Sequence, residues 1–81
     1  MVKVKVFSTL RDICGKEFVI DAANVKELLK ESKKKYGKKF ANQTKGVSIL
    51  VNGKNISYMD GMGTELKAAD EVALLPPAAG G

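Results

Sequence analysis

The sequence predicts a small α+β domain of two layers, in which one main helix packs on one face of a mixed sheet of four or five strands. Apolar residues alternate with lysines from Val2 to Val6, which is the pattern of a strand with one buried face. An apolar series at helical spacing begins after Asn24, and the dipeptide Asn52-Gly53 is a strong signal for a tight turn between two strands. The predicted order is strand, strand, helix, strand, strand, strand.

Two strands are predicted before the helix. Val2, Val4 and Val6 share one face of the first strand, and residues 17–21 form the second. Residues 8–16 between them are mostly polar. We therefore expect an antiparallel hairpin with a long connection.

The predicted helix begins after Asn24 and ends at Gly37. Asn24 is a good N-cap, and Glu27 three residues later completes the pattern of a capping box. Gly37 supplies a conformation that stops a helix. The apolar face recurs at spacings of three, four and seven residues and consists of Val25, Leu28, Leu29, Ser32 and Tyr36. Residues 38–45 hold turn formers and charges, so we expect a loop there.

Three strands are predicted after the helix. Val47, Ile49 and Val51 alternate with Ser48 and Leu50 in the third strand, and Asn52-Gly53 leads into a return strand at 54–57. The last strand, residues 72–75, has apolar residues at both its even-numbered and its odd-numbered positions, and hence on both of its faces. Such a strand is expected to lie centrally in its sheet with both faces covered.

One helix leaves the second face of the sheet bare, and side-chain parity predicts what this face carries. Phe7 is in phase with Lys3 and Lys5, so it points away from the helix, and the same reasoning turns Leu50 and Leu75 outward. These three apolar residues are predicted to form a partner-binding patch. The alternative is that Phe7 folds under the 8–16 connection as a satellite core residue.

The composition excludes several kinds of site. The chain has 81 residues, no His and one Cys, so a His-based triad, a zinc site and a disulfide framework are excluded. We expect no bound metal or cofactor, and an ordinary role for Cys14. No stretch approaches the ~20 apolar residues that span a bilayer, and the N-terminus lacks a signal-peptide core. We therefore expect a cytoplasmic protein without a membrane partner.

The net charge of +5 could attract nucleic acid, an acidic protein or anionic lipid. Lys26, Lys30 and Lys34 lie along one stripe of the predicted helix. Glu27 and Glu31 interrupt the stripe, and no aromatic residue is interleaved for stacking bases. A basic nucleic-acid-binding module is therefore an alternative, and nucleic acid is not the expected partner.

Residues 1–75 are predicted to form the domain and residues 76–81 an extended tail that enters a partner. The prolines fix the exit direction, and the glycines let another protein's backbone approach closely. The tail can reach about 20 Å. Its residues are Pro76, Pro77, Ala78, Ala79, Gly80 and Gly81.

The carboxylate of Gly81 is the group expected to react. A carboxylate is a poor electrophile, but an acyl-adenylate made with ATP can be attacked by a persulfide, a thiol or a lysine amine. Nothing in this chain is suited to bind ATP. The activating enzyme, which uses the ATP, is therefore expected to be another protein.

Three segments resemble a known family: the opening VKVFSTLRDICG at 4–15, the hairpin ILVNGKNI at 49–56 and the ending DEVALLPPAAGG at 70–81. Together they resemble the MoaD sulfur-carrier proteins of molybdopterin synthase. The glycine-rich loop at 59–63, with the Asn52-Gly53 turn, resembles in particular the archaeal MoaD-like subgroup, which includes the small archaeal modifier proteins. The resemblance covers essentially the whole chain. It implies a ubiquitin-like β-grasp fold and a carrier that is not itself an enzyme.

The resemblance also implies roles for single residues. Gly81 and Gly80 correspond to the terminal glycines, the last of which is adenylated by a ubiquitin-activating-type enzyme, and Phe7 and Leu75 correspond to hydrophobic partner-contact positions. In the sulfur-carrier branch the glycine becomes a thiocarboxylate and enters the large subunit of molybdopterin synthase. In the modifier branch it is joined to lysines of target proteins, and some members are thought to do both. Sulfur carriage for thiazole synthesis is a lesser alternative.

Overall fold

The computed structural model describes residues 1–75, in which five strands form one sheet and helices lie on one of its faces. The strands are β1 (Val2–Val6), β2 (Glu17–Ile20), β3 (Ser48–Val51), β4 (Lys54–Asn55) and β5 (Glu71–Leu75). The α-helices are α1 (Arg11–Cys14), α2 (Val25–Tyr36) and α3 (Lys38–Gln43), and short 3-10 turns occupy Ser8–Leu10, Ile56–Tyr58 and Gly61–Gly63. The predicted α+β class is confirmed. The predicted tail, residues 76–81, lies outside the described residues.

The sheet is mixed and has the order β2-β1-β5-β3-β4. β5 runs parallel to β1 and antiparallel to β3, so its predicted central position is confirmed. Val72 and Leu74 are completely buried, whereas Ala73 and Leu75 are only half-buried. The expectation that both faces of this strand are covered was therefore wrong, because the helices lie on one face of the sheet and leave the other open.

The core fills the space between the sheet and α2. Val2, Val4 and Val6 are buried while Lys3 is exposed and Lys5 half-buried, as the alternation in β1 predicts. On α2, Val25 and Leu28 are completely buried. The core consists of these residues together with Leu10, Phe18, Ile20, Ala22, Phe40, Ile49, Val51, Leu66, Val72 and Leu74.

The ends of α2 lie where the capping pattern predicts. The Asn24 side-chain oxygen accepts a hydrogen bond from the Glu27 backbone N–H at 2.8 Å, and the Glu27 carboxylate accepts one from the Ala23 N–H at 3.4 Å. Gly37 ends the helix with a φ of 81°, which residues with a side chain rarely adopt. Inside the helix, the buried hydroxyl of Ser32 donates to the Leu28 carbonyl at 2.7 Å, so its polar atom is satisfied.

The expectation of a loop at residues 38–45 was wrong, because Lys38–Gln43 forms α3 and Phe40 is completely buried. The Phe40 ring lies 5.9 Å from that of Tyr36 and 6.5 Å from that of Phe18, centroid to centroid. A helix of six residues is too short to be stable alone. Burial of Phe40 in this aromatic cluster stabilises α3. The sequence pattern did not predict this helix, because the single apolar ring lies next to lysines.

The 8–16 connection is also more structured than its polarity predicts. Leu10 is completely buried at the end of a 3-10 turn, and α1 follows directly. The turn at Asn52-Gly53 has φ values of 52° and 85°, which confirms the predicted tight turn. The return strand is shorter than the predicted 54–57, since only Lys54–Asn55 pairs with β3 before a 3-10 turn begins.

Replacement of Phe40 tests whether α3 belongs to the core. We expect Phe40→Ala to lower the free energy of unfolding by about 3–5 kcal/mol, because a completely buried ring leaves a cavity. Tyr58→Ala is the matched control, since Tyr58 is 79% exposed and its loss should change the free energy of unfolding by less than about 0.5 kcal/mol. Urea denaturation followed by circular dichroism measures both, and equal effects would show that residues 38–43 are a surface loop.

Candidate functional site

The sheet face turned away from α2 carries the residues predicted to contact a partner. Leu50 is the register partner of Ala73 on β5, and Ala73 is also the register partner of Lys5 on β1. Directly paired residues of neighbouring strands point to the same side of a sheet. Leu75 is two residues beyond Ala73 and therefore shares this side.

Phe7 also lies on this side. It is half-buried, it is not part of the core, and it lines a groove together with Lys3 and Lys5. The alternative in which Phe7 joins the core is therefore not observed. We define the outer patch as Phe7, Leu50, Ala73 and Leu75. The structure brings the three predicted residues together at the strand end from which residues 76–81 continue.

The groove beside the outer patch is basic. It encloses about 350 Å³ and is lined by Lys3, Lys5, Val6, Phe7, Arg11, Lys16 and Glu17. Two ion pairs cross its strands, from Lys5 to Glu71 at 3.2 Å and from Lys3 to Glu17 at 3.9 Å. Pairs that are half-exposed contribute little to stability, about 0–1 kcal/mol. The four cations of the groove outnumber Glu17 and Glu71, so the surface beside the apolar patch stays positive, which favours an acidic partner.

Arg11 is a site residue that the sequence interpretation missed. Its guanidinium lies 5.3 Å from the centroid of the Phe7 ring, and its Nε donates to the Val6 carbonyl at 3.1 Å. These contacts hold the ring against the sheet. Arg11 was hidden within the expected loop. The available signal was that it is the single arginine among thirteen lysines.

The start of β5 is anchored by side-chain hydrogen bonds. Asp70 accepts from the Lys67 backbone N–H at 2.8 Å and from the Asn52 side-chain amide at 3.0 Å, and both bonds lower the pKa of its carboxyl. The Asn52 side-chain oxygen in turn accepts from the Glu71 N–H at 3.0 Å. The β3–β4 turn and the start of β5 are thereby joined, which positions the whole strand and the point at which it ends.

Cys14 lies at the end of α1, partly buried against the core. Burial raises the pKa of its thiol to about 11, and the nearby Lys35 ammonium opposes this shift only partly. The thiol therefore stays protonated near neutral pH. A protonated thiol is a poor nucleophile, so the geometry favours a packing role for Cys14.

The other predicted site residues are Pro76, Pro77, Ala78, Ala79, Gly80 and Gly81, and all of them lie outside the described residues. Within residues 1–75, no group of three or more His, Cys, Asp or Glu side chains could bind a metal ion. Each helix in the same part of the chain is too short or too polar to cross a bilayer.

Comparison with known protein families identifies the family to which the chain belongs. The model of the ThiS family matches residues 4–81. The chain belongs to the ThiS family. The match includes the outer patch and extends through Gly81.

Two proteins of similar sequence are named as a modifier protein and as a sulfur carrier. A protein of Haloferax volcanii, small archaeal modifier protein 3, is 28% identical in an alignment that covers 98% of this chain and 97% of that protein. A candidate sulfur carrier protein of Archaeoglobus fulgidus is 49% identical over 35 residues, which are 43% of this chain and 40% of that protein. The family is thus one of small ubiquitin-like carriers and modifiers, which are not catalysts themselves.

Two solved structures of similar proteins agree with this membership. Small archaeal modifier protein 1 of Methanosarcina acetivorans has a TM-score of 0.83 and 35% identity, over 99% of this chain and 95% of that one. Subunit 1 and subunit 2 of the molybdopterin-converting factor of Helicobacter pylori form a complex, in which the matching chain has a TM-score of 0.66 and 31% identity, over 99% of this chain and 97% of that one. The ubiquitin-like β-grasp fold implied by the resemblance is confirmed.

The reactivity of Cys14 tests its assignment to packing. We expect iodoacetamide at a fixed pH near 8 to alkylate the folded protein about 100-fold more slowly than the protein unfolded in urea, because each unit by which the pKa rises lowers the thiolate fraction tenfold. The rate of the folded protein should increase as the pH is raised toward 11. Mass spectrometry of timed samples gives both rates, and equal rates would indicate an accessible, reactive thiol.

Proposed function

We propose that this chain is a ubiquitin-like sulfur carrier whose Gly81 carboxylate is adenylated by a ubiquitin-activating-type enzyme and converted to a thiocarboxylate. The thiocarboxylate donates sulfur during the synthesis of the molybdopterin cofactor, within a complex with the large subunit of molybdopterin synthase. The observation that carries the proposal is the position of the outer patch, which lies where β5 ends and the segment that closes with Gly80 and Gly81 continues.

The chemistry divides between this chain and its partners. The Gly81 carboxylate attacks the α-phosphorus of ATP, so a carboxyl–phosphate bond forms and pyrophosphate leaves. A sulfur nucleophile such as hydrosulfide then displaces AMP, which leaves sulfur in place of one carboxylate oxygen. The enzyme supplies the ATP site, and this chain supplies the acyl group and the surface that docks it.

The outer patch and the basic groove are the docking surface in this proposal. Phe7, Leu50 and Leu75 supply apolar contact area, and Arg11 holds the Phe7 ring in place. Docking through a patch at the base of the tail restricts where Gly81 can reach. This proximity would reduce the entropic cost of placing the carboxylate in an active site of the partner. The similarity to one chain of the Helicobacter pylori complex of subunits 1 and 2 supports a partner of the large-subunit type.

Conjugation to proteins is the second candidate function. It is supported by the similarity to two small archaeal modifier proteins, each over nearly the whole length of both chains, at 35% and 28% identity. A lysine amine of a target protein would then displace AMP from the acyl-adenylate, or the thiol from a thiol ester made from the adenylate, to give an isopeptide bond at Gly81. Activation of the carboxylate is the same in both functions, and only the acceptor differs.

Substitutions in the outer patch test the docking surface. Leu50→Ala should weaken binding to the large subunit and to the activating enzyme by about tenfold or more, because a half-buried leucine at an interface centre contributes apolar contact area. Leu29→Ala is the matched control, since Leu29 is also a half-buried leucine but lies on α2, on the opposite side of the sheet from the patch. Isothermal titration calorimetry measures both affinities. Equal losses, or none, would remove the outer patch from the interface.

Removal of Gly81 tests activation. We expect the chain without Gly81 to retain the melting temperature of the full chain, because residues 1–75 hold the core, and to lose ATP–pyrophosphate exchange with the adenylating enzyme of its host. Labelled pyrophosphate measures the exchange, with the full chain assayed in parallel. Equal exchange for both chains would reject the proposal.

Mass spectrometry of the protein and its targets from the host separates the two acceptors. If the protein carries a thiocarboxylate at Gly81, its mass is greater by the difference between a sulfur and an oxygen atom, and this result supports sulfur transfer. Gly-Gly remnants on lysines of other proteins support conjugation, and the presence of both products supports a dual role.

A further inference from the structure

A second surface lies on the helix layer, on the opposite side of the sheet from the outer patch. We define the α2–α3 groove as the depression of about 480 Å³ lined by Lys26, Leu29, Lys30, Lys33, Ala41, Thr44, Lys45 and Met62. Leu29 and Ala41 are half-buried, and Met62 is 44% exposed. An apolar floor is therefore bordered by four lysines. A neighbouring hollow shares Lys30, Lys33 and Ala41.

Local helix electrostatics explains only some of these lysines. Lys33, Lys34 and Lys35 lie in the last turn of α2, where positive charge is favourable next to unpaired carbonyl groups. Lys26 lies in the first turn, where the helix dipole disfavours a cation, and it is four residues from Lys30, a spacing at which like charges repel. The placement of Lys26 and Lys30 therefore opposes helix stability.

The two acidic residues of α2, Glu27 and Glu31, offset this charge only in part, because the groove has four lysines and neither glutamate lines it. The Glu27 carboxylate accepts a hydrogen bond from the Ala23 N–H just before the helix, and Glu31 pairs with Lys34 at 3.3 Å. Among the ion pairs formed within residues 1–75, none involves Lys26, Lys30 or the other two lysines of the groove. The groove thus keeps a concentrated positive charge above an apolar floor.

We propose that the α2–α3 groove binds an acidic, amphipathic segment of a partner protein, with apolar side chains on Leu29, Ala41 and Met62 and carboxylates beside the lysines. Charge complementarity selects the acidic segment, and the apolar floor selects side chains that can be buried. A methionine at the edge of the floor can adjust to different apolar side chains.

The same features disfavour nucleic acid as the occupant. Among residues 1–75 no aromatic ring lines the groove, and Phe18, Tyr36 and Phe40 pack against one another instead of offering faces to bases. The bordering cations are lysines, which lack the planar guanidinium group that binds a phosphate through two hydrogen bonds.

Because the groove and the outer patch lie on opposite sides of the sheet, this second site is independent of the proposed function and can be occupied at the same time.

Binding of designed peptides to the full chain tests the proposal. The probe is a fluorescein-labelled peptide of about 12 residues, the length of α2, with Leu at helical spacing and Glu elsewhere, and its comparison replaces every Glu with Gln. We expect the Glu peptide to bind at least about tenfold more tightly by fluorescence anisotropy. Lys26→Ala combined with Lys30→Ala should weaken its binding about tenfold, and Met62→Ser should weaken it without a change in charge.

The matched control is Lys54→Ala combined with Lys67→Ala, which removes the same charge from exposed positions outside the groove. Alanine favours helix formation, so the α2 variant should melt at or above the temperature of the unaltered chain. Equal weakening by both double variants, or unchanged binding to Met62→Ser, would overturn the proposal in favour of general charge attraction. Tighter binding to a single-stranded DNA 20-mer, or to phosphatidylglycerol vesicles, would overturn it in favour of nucleic acid or a membrane surface.

Discussion

The insertion of β5 between β1 and β3 is the constraint on which the rest of the structure depends. In this register Val4 faces Val72 and Val6 faces Leu74, so the completely buried residues of both strands lie beneath the helix layer. A slip of one residue would exchange the buried and outward sets of β5. The hydrogen bonds among Asn52, Asp70 and the start of β5 oppose such a slip, and the outer patch is a direct consequence of the register.

The helix layer is closed at one end by aromatic packing. Tyr36 ends α2, Phe40 lies in α3, and both contact Phe18 on β2. This cluster anchors a helix that could not form alone, and the anchored helix supplies one wall of the α2–α3 groove. Stability and the second surface therefore depend on the same three rings.

The two faces of this small domain differ in what they offer a partner. The outer face presents an apolar patch and a basic groove beside the strand end that leads to the terminal glycines, which suits enzymes that act on Gly81. The helix face presents an apolar floor with lysines around it, and this floor lies on the opposite side of the sheet from the outer patch. Because the sheet separates the two faces, the outer face can bind an enzyme that acts on Gly81 while the helix face binds the acidic segment of another protein.

The sequence by itself determined the elements whose signals are periodic or local. Alternation predicted β1 and β3, the capping residues bounded α2, Asn52-Gly53 predicted its turn, and parity assigned Phe7, Leu50 and Leu75 to one face. Only the tertiary structure decided the rest, namely that Leu10 and Phe40 are core residues, that residues 38–43 are helical, and that Arg11 lies over the Phe7 ring. These features arise from contacts between segments distant in the chain, and short elements surrounded by lysines form only because that burial outweighs their weak local preference.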